Sequence, residues 1–268
     1  MRLLICTKQD LISCIAVNEL IQHLGSDMEY HIVLSHKVSD SERGLPPQYD
    51  FVFYERDLFL FWSRSSQHNP NGYVGFRDLD TKYGDKHSIT LDVLNNISLD
   101  TRYLHKLARW KPDVILSVRY NYVFKQPLID MAELAVLNLH PGKLPEYAGF
   151  YAPFHALKNG EQKLGATLHY IRDESLDSGD IIETVNIPVS KHHSVMWHFH
   201  EVYRHGILMS VKHLKSLKEG DKPDAYPQDL SKLVLYSHPT QQEFKTFESN
   251  GGVMISHKDY LEACQQFK

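Results

Sequence analysis

Short apolar runs recur along this chain with room for one helix between them, and that alternation constrains the fold more than any other feature. LLIC at 3–6 reads as a buried strand; Ile12, Ile15, Leu20 and Leu24 recur at helical spacing up to Gly25, and YHIVLS at 30–35 reads as the next strand. The same beat returns with a helix over 100–110, a strand over 113–118, a short helix over 126–132 and a strand over 135–140. A Pro- and Gly-rich loop at 141–150 and a short helix at 152–159 precede two β-like runs, GATLHYI at 165–171 and DIIETVNIPV at 180–189. A long helix over 194–218 then closes at Gly220. Apolar strands separated by helices predict an α/β fold with a Rossmann-like, mainly parallel sheet flanked by helices.

Two stretches depart from the beat. Residues 38–98 are rich in Ser, Asp, Asn and Gly, with aromatics at Phe59, Phe61, Trp62 and Tyr73, and are expected to be irregular with short helices and one strand near 88–93; their role is left open. Beyond a main domain at 1–220, residues 221–268 form a small C-terminal α/β extension, with a strand near 233–236 and helices near 240–248 and 258–266.

Composition narrows the function classes. The 29 basic and 33 acidic residues give a net charge of −4, which argues against a surface built to grip nucleic acid or anionic lipid. No apolar run approaches the ~18 residues of a membrane helix, and MRLLIC is too short for a signal peptide. Cys6, Cys14 and Cys264 are odd in number and lack C-x-x-C spacing, so a cytoplasmic location is expected. Seventeen histidines raise the question of a metal. On a helix, however, His198 and His200 are ~200° apart and His200 and His205 ~500°, so neither pair shares a face, and no metal is expected.

The most informative segment runs from LNLH at 137–140 to DSGD at 177–180. Side chains alternate along a strand, so Asn138 and His140 point the same way, and Pro141 places both at the strand's C-terminal end, where open α/β sheets build their sites. Asp177 precedes another strand, where a turn can return its carboxylate to that crevice. An amide, an imidazole and a carboxylate together suit attack of an amine on a carbonyl: the amide donates to a developing oxyanion, the imidazole donates or shuttles a proton, and the carboxylate orients the imidazole. Spacing alone leaves open a turn cap, a core histidine and a turn aspartate.

The segment closely resembles the folate-dependent formyltransferase family, through Asn138-x-His140-Pro141, then Leu144, Pro145, Tyr147 and Gly149, then Gly165, Thr167 and His169, then Asp177 and Gly179. The resemblance covers about 100–220 and implies that Asn138, His140 and Asp177 are the catalytic trio. It implies N10-formyltetrahydrofolate as cosubstrate, held by Asn121, Tyr122, Val123 and Phe124 and by Arg172, Asp173 and Glu174. Many relatives carry Arg where this chain has Ala148, which leaves acceptor contacts there undefined.

Among acceptors in the family, a ribonucleotide is disfavoured because Thr7-Lys8-Gln9-Asp10 offers no glycine-rich phosphate loop. A tRNA is disfavoured because residues 222–268 carry 5 lysines, no arginine and 6 acidic residues. The expectation is therefore a nucleotide-linked amino (dideoxy) sugar, as in the sugar N-formyltransferases of O-antigen biosynthesis, whose tails are similar to HPTQQEFKTFESNGG at 238–252. Lys8 and Arg119 are candidates for its pyrophosphate, and Tyr147, Gly149, Phe150 and Tyr151 for the rest of it. A homodimer, as in similar sugar enzymes, is expected of the extension. The alternatives are another small amine, of amino-acid or hydroxyornithine type, and hydrolysis of the formyl folate.

Overall fold

The computed structural model describes residues 1–63, 72–94 and 96–267. The opening βαβ unit comprises β1 (Arg2–Lys8), α1 (Leu11–Leu24) and β2 (Glu29–Ser35). Next come α2 (Pro46–Val52), a π-helical stretch at Phe53–Leu58, α3 (Phe59–Trp62), α4 (Leu79–Tyr83) and β3 (Ser88–Val93). The middle of the chain holds α5 (Thr101–Trp110), β4 (Val114–Val118), α6 (Gln126–Ile129), β5 (Ala135–His140), β6 (Ala148–Gly149) and α7 (Ala152–Lys158). β7 (Lys163–Tyr170), β8 (Ile181–Pro188), α8 (Val195–Glu219), β9 (Leu235–Tyr236), α9 (Gln241–Ser249) and α10 (His257–Cys264) complete it.

Seven strands form one sheet in the order β3-β2-β1-β4-β5-β7-β8, parallel from β3 to β5 and antiparallel from β5 onward. The expected mainly parallel sheet is thus observed. Alternation along β1 builds two cores: Leu3 and Ile5 face α1 and α8, whereas Leu4 and Cys6 face Tyr103 and Leu107 of α5 and Leu128 of α6. Strands buried on both faces must be apolar throughout, which is why they read so clearly in the sequence. Because the chain leaves β1 toward β2 and returns to β4 on the other side, a crevice opens at the C-terminal ends of β1, β4 and β5.

Residues 38–98 are more regular than expected. From 46 to 62 the chain runs as consecutive helical segments whose buried positions include Phe51, Val52, Glu55 and Phe59. Exposed aromatics on the same segments, Tyr49, Phe53 and Phe61, blur that stripe in the sequence, as does a carboxylate within it. The strand expected near 88–93 is β3, at the sheet edge; residues 64–71 and 95 of this stretch lie outside the described residues.

Residues 221–268 pack into the body of the protein. β9 pairs in parallel with β6, Phe244 of α9 lies against Phe154 of α7 with ring centroids 5.0 Å apart, and Phe267 against Phe59 at 5.5 Å. Phe244, Met254, Tyr260 and Phe267 all belong to the main core. Phe244→Ala should therefore cost about 3–5 kcal/mol and lower the midpoint of one cooperative unfolding transition. A separate early transition for the tail, seen by calorimetry, would contradict this.

Candidate active site

The crevice holds a cleft of about 500 Å³ whose lining includes Asn138, His140 and Asp177. Asn138 and His140 reach it from β5, and Asp177 arrives on the turn between β7 and β8. Two contacts fix the His140 ring. Nε2 lies 2.7 Å from the Tyr147 carbonyl oxygen, which can only accept, so that nitrogen carries a proton and donates it. Nδ1 then faces Asp177 Oδ2 at 3.4 Å and is the nitrogen able to take up or release a proton. Gly142 allows this arrangement, since a Cβ there would sit 2.6 Å from His140 Nε2.

Asp177 is the hub. Its Oδ2 accepts from the Gly149 N–H at 2.8 Å, and its Oδ1 accepts from Asn138 Nδ2 at 3.3 Å. Burial alone would raise its pKa, but His140, His169 and the Gly149 N–H outweigh burial and hold the carboxyl well below the usual carboxylate range. Asp177 has a left-handed backbone, with φ 49°. Gln228 Nε2 ties that turn down by donating to the Asp177 and Gly179 carbonyls at 2.9 and 2.6 Å. Gly179 is required beside it, because a Cβ would run into the Tyr170 carbonyl.

His169 and Gln228 are site residues that the sequence reading did not assign. His169 Nδ1 donates to the Tyr170 carbonyl at 3.0 Å, leaving Nε2 to accept from Asn138 Nδ2, also at 3.0 Å. Both Asn138 amide hydrogens are thereby engaged, and the bond to Asp177 is the longer. The register opposing Asn138 and His169 across β5 and β7 is the signal that could have found His169; Gln228 left none, being 51 residues from its partner.

The remaining expected residues divide. Asn121, Tyr122, Val123, Phe124 and Asp173 line the cleft, as do Gly149, Phe150 and Tyr151. Arg172 and Glu174 are not in the lining. Arg172 stands 4.4 Å over the Tyr170 ring, and Glu174 pairs with Lys125 at 2.6 Å. The Tyr147 side chain also turns away, bonding Glu161 and stacking on Tyr236, and contributes only its carbonyl. Among the described residues, one group of three possible metal ligands, His193, Asp259 and Glu262, lies outside the cleft lining. There Asp259 accepts from Ser194 at the start of α8.

The two cations expected to meet a pyrophosphate both line the cleft, and each has a carboxylate partner. Lys8 pairs with Glu42. Arg119 is buried and bonds Asp10 at 3.0 Å and Glu55 at 2.6 Å. One guanidinium cannot neutralise two buried carboxylates. Asp10 stays below its ordinary value, burial being outweighed by Arg119 and Lys8. Burial pushes Glu55 up to about 8, Asp10 adding to the effect while Arg119 resists it. Glu55 Oε1 has no hydrogen-bond partner among the described residues; 4.0 Å away, His200 Nε2 likewise has none.

A sequence profile described as formyl transferase matches residues 77–202. The chain is 29 % identical over 152 residues to methionyl-tRNA formyltransferase of Kosmotoga olearia, covering 57 % of this chain and 48 % of that one. It is 30 % identical over 90 residues to phosphoribosylglycinamide formyltransferase of Escherichia coli, covering 34 % and 42 %. The chain thus aligns over less than half the length of these curated relatives. Its fold is similar to that of an N-formyltransferase of Helicobacter canadensis in complex with folinic acid and dTDP-3-aminofucose, with a TM-score of 0.55 and 14 % identity over 91 % of this chain and 72 % of that one. Residues 77–202, just under half of the chain, are thus similar to formyl transferases, and the mainly parallel α/β fold is similar to that of an N-formyltransferase.

Glu55 makes stability depend on pH with a definite sign. Between its ordinary value of 4.5 and about 8, the folded protein keeps a proton that the unfolded chain has lost, so stability falls as pH rises through that window. Gln mimics the protonated acid and does not titrate. The gain in melting temperature of Glu55→Gln over the parent should therefore grow from pH 5 to pH 8. A gain independent of pH would contradict the assignment.

Proposed function

We propose that the protein transfers a formyl group from N10-formyltetrahydrofolate to the primary amine of a small acceptor. The observation that carries this reading is the meeting of Asn138, His140 and Asp177 at one point of a cleft of about 500 Å³. The lining suits a reduced folate, since it joins apolar Val123, Phe124, Ile171 and Leu176 to polar Ser117, Asp173 and Ser175. When bound, that cosubstrate supplies an activated formyl carbon.

The chain's own residues then have definite tasks. The Tyr147 carbonyl holds His140 at Nε2, while Asp177 faces Nδ1 and stabilises the proton gained there. His140 Nδ1 takes up the proton that the attacking amine loses. Asn138 exchanges its longer bond, the one to Asp177, for one to the carbonyl oxygen as negative charge develops there. His169 keeps the amide in place from the other side.

A nucleotide-linked amino sugar as acceptor draws support from the dTDP-3-aminofucose bound in the Helicobacter canadensis neighbour. The carboxylates on Lys8 and Arg119 favour a second reading, a small amine of amino-acid type. Transfer to a tRNA is disfavoured by the acidic balance of 222–268. A cytoplasmic setting and a homodimer belong to the same reading. Among the described residues no helix is long and apolar enough to cross a membrane.

His140→Asn should lower kcat by about 10²–10⁴ while leaving folinic acid binding largely intact, as measured by calorimetry. Near-normal turnover by this variant would show that proton transfer does not run through His140.

A further inference from the structure

We propose that Glu55 selects the acceptor, and that the end of the cleft between β1 and the helical segments at 46–62 seats a cationic group of the amine substrate. This rests on the formyl-transfer reading and narrows it to a substrate class: small molecules with two amino groups, such as diamines and basic amino acids.

The groups already in place disfavour a phosphate at this end. An anion would ordinarily find the N-terminus of α1, but Asp10 already fills it, accepting from the Ser13 N–H at 2.9 Å. Two cations, Lys8 and Arg119, face three carboxylates, Asp10, Glu42 and Glu55. Without a ligand, burial keeps the Glu55 proton up to about pH 8; ionised beside a bound ammonium, Glu55 would bring the one negative charge that this cation balances. The histidines nearby add no positive charge to balance it: burial pushes His200 down to about 4 and lowers His238 as well. Lys37, another lysine of the lining, stands 4.8 Å over the Tyr122 ring.

The walls suit a cation too. Phe51, Tyr151 and Phe199 form a contiguous aromatic cluster, with Phe51–Phe199 centroids 5.3 Å apart and Phe51–Tyr151 centroids 6.0 Å apart. Cations are attracted to such ring faces, and Arg119 already stands 6.0 Å from the Phe199 ring and 5.2 Å from that of Tyr203. Glu55 is 3 % exposed yet lines the cleft, and its Oε1 has no hydrogen-bond partner among the described residues. An ammonium in the cleft would supply the positive charge that an ionised Glu55 lacks.

In the transfer itself, the carbon–nitrogen bond to the acceptor forms as the one to the folate breaks. The proton lost by the amine passes to the folate nitrogen, and the second ammonium stays on Glu55 unchanged. A nucleotide-linked acceptor fits only with its diphosphate outside this end.

The test measures formyl transfer by the parent protein and by Glu55→Gln to ornithine, 1,4-diaminobutane, butylamine and a dTDP-linked amino sugar. For the parent, kcat/KM for a diamino acceptor should exceed that for butylamine by about 10–100-fold, the usual worth of a hydrogen bond to a charged group. In Glu55→Gln the ratio should fall close to one through a rise in KM with kcat kept. Glu55→Asp, which keeps the charge, should retain part of the preference. A preference for the dTDP-linked sugar over both diamino compounds overturns the proposal, as does a ratio unmoved by Glu55→Gln. If no amine is formylated although folinic acid binds, the formyl-transfer reading fails. The acceptor site is then judged by calorimetry with 1,4-diaminobutane, where equal affinity of parent and Glu55→Gln overturns it.

Discussion

A single buried carboxylate organises the site, and it is costly to keep. Asp177 sits in a turn with a left-handed backbone, out of water, and burial opposes its ionisation. Its charge persists because the Gly149 N–H, the Asn138 amide and two imidazoles converge on it. These groups come from β5, β6 and β7, so the carboxylate and the sheet geometry stabilise each other. Gln228 extends the dependence to the C-terminal residues, because it holds the Asp177 turn from a point beyond α8. The tail is therefore part of the site's support and is held in turn by the packing of Phe244 and Phe267 in the core.

Much of the fold was legible because strands buried on both faces leave no choice of residue type, so β1, β2, β4 and β5 stand out as apolar runs. Asn138 and His140 were legible for a related reason: strand alternation places them on one side, and Pro141 ends the strand just past them. The helical stretch at 46–62 was hidden because its buried stripe contains Glu55, and its exposed face contains aromatics. The partners of Lys8 and Arg119 were hidden as well. A lysine or arginine in a sequence announces its charge but not what neutralises it, and Glu55 lies 64 residues from Arg119. Tyr147 shows the opposite trap: the side chain looked like a ligand contact, whereas its carbonyl is the part that fixes His140.

The two ends of the cleft differ in chemistry. Near Val123 and Phe124 the lining is apolar with polar groups interspersed, as a flat heterocycle requires. Near β1 it is ionic, with Lys8 and Arg119 set against Asp10, Glu42 and the buried Glu55. An acid that burial pushes up to about 8 costs stability as pH rises, a cost that an uncharged residue would not carry. The stability cost at Glu55 and the proposed substrate preference of the cleft would be two consequences of the same arrangement, in which one arginine serves two acids.

In the proposed reaction the crevice at the end of β5 brings a formyl carbon to Asn138 and His140. A crystal structure of the protein with folinic acid tests it most directly, because that reduced folate carries a formyl group in place. The expected result puts the pterin beside Val123 and Phe124 and the formyl group about 3–3.5 Å from Asn138 Nδ2 or His140 Nδ1. Folinic acid bound away from this cleft, or lying in it with its formyl group far from both side chains, would contradict the claim.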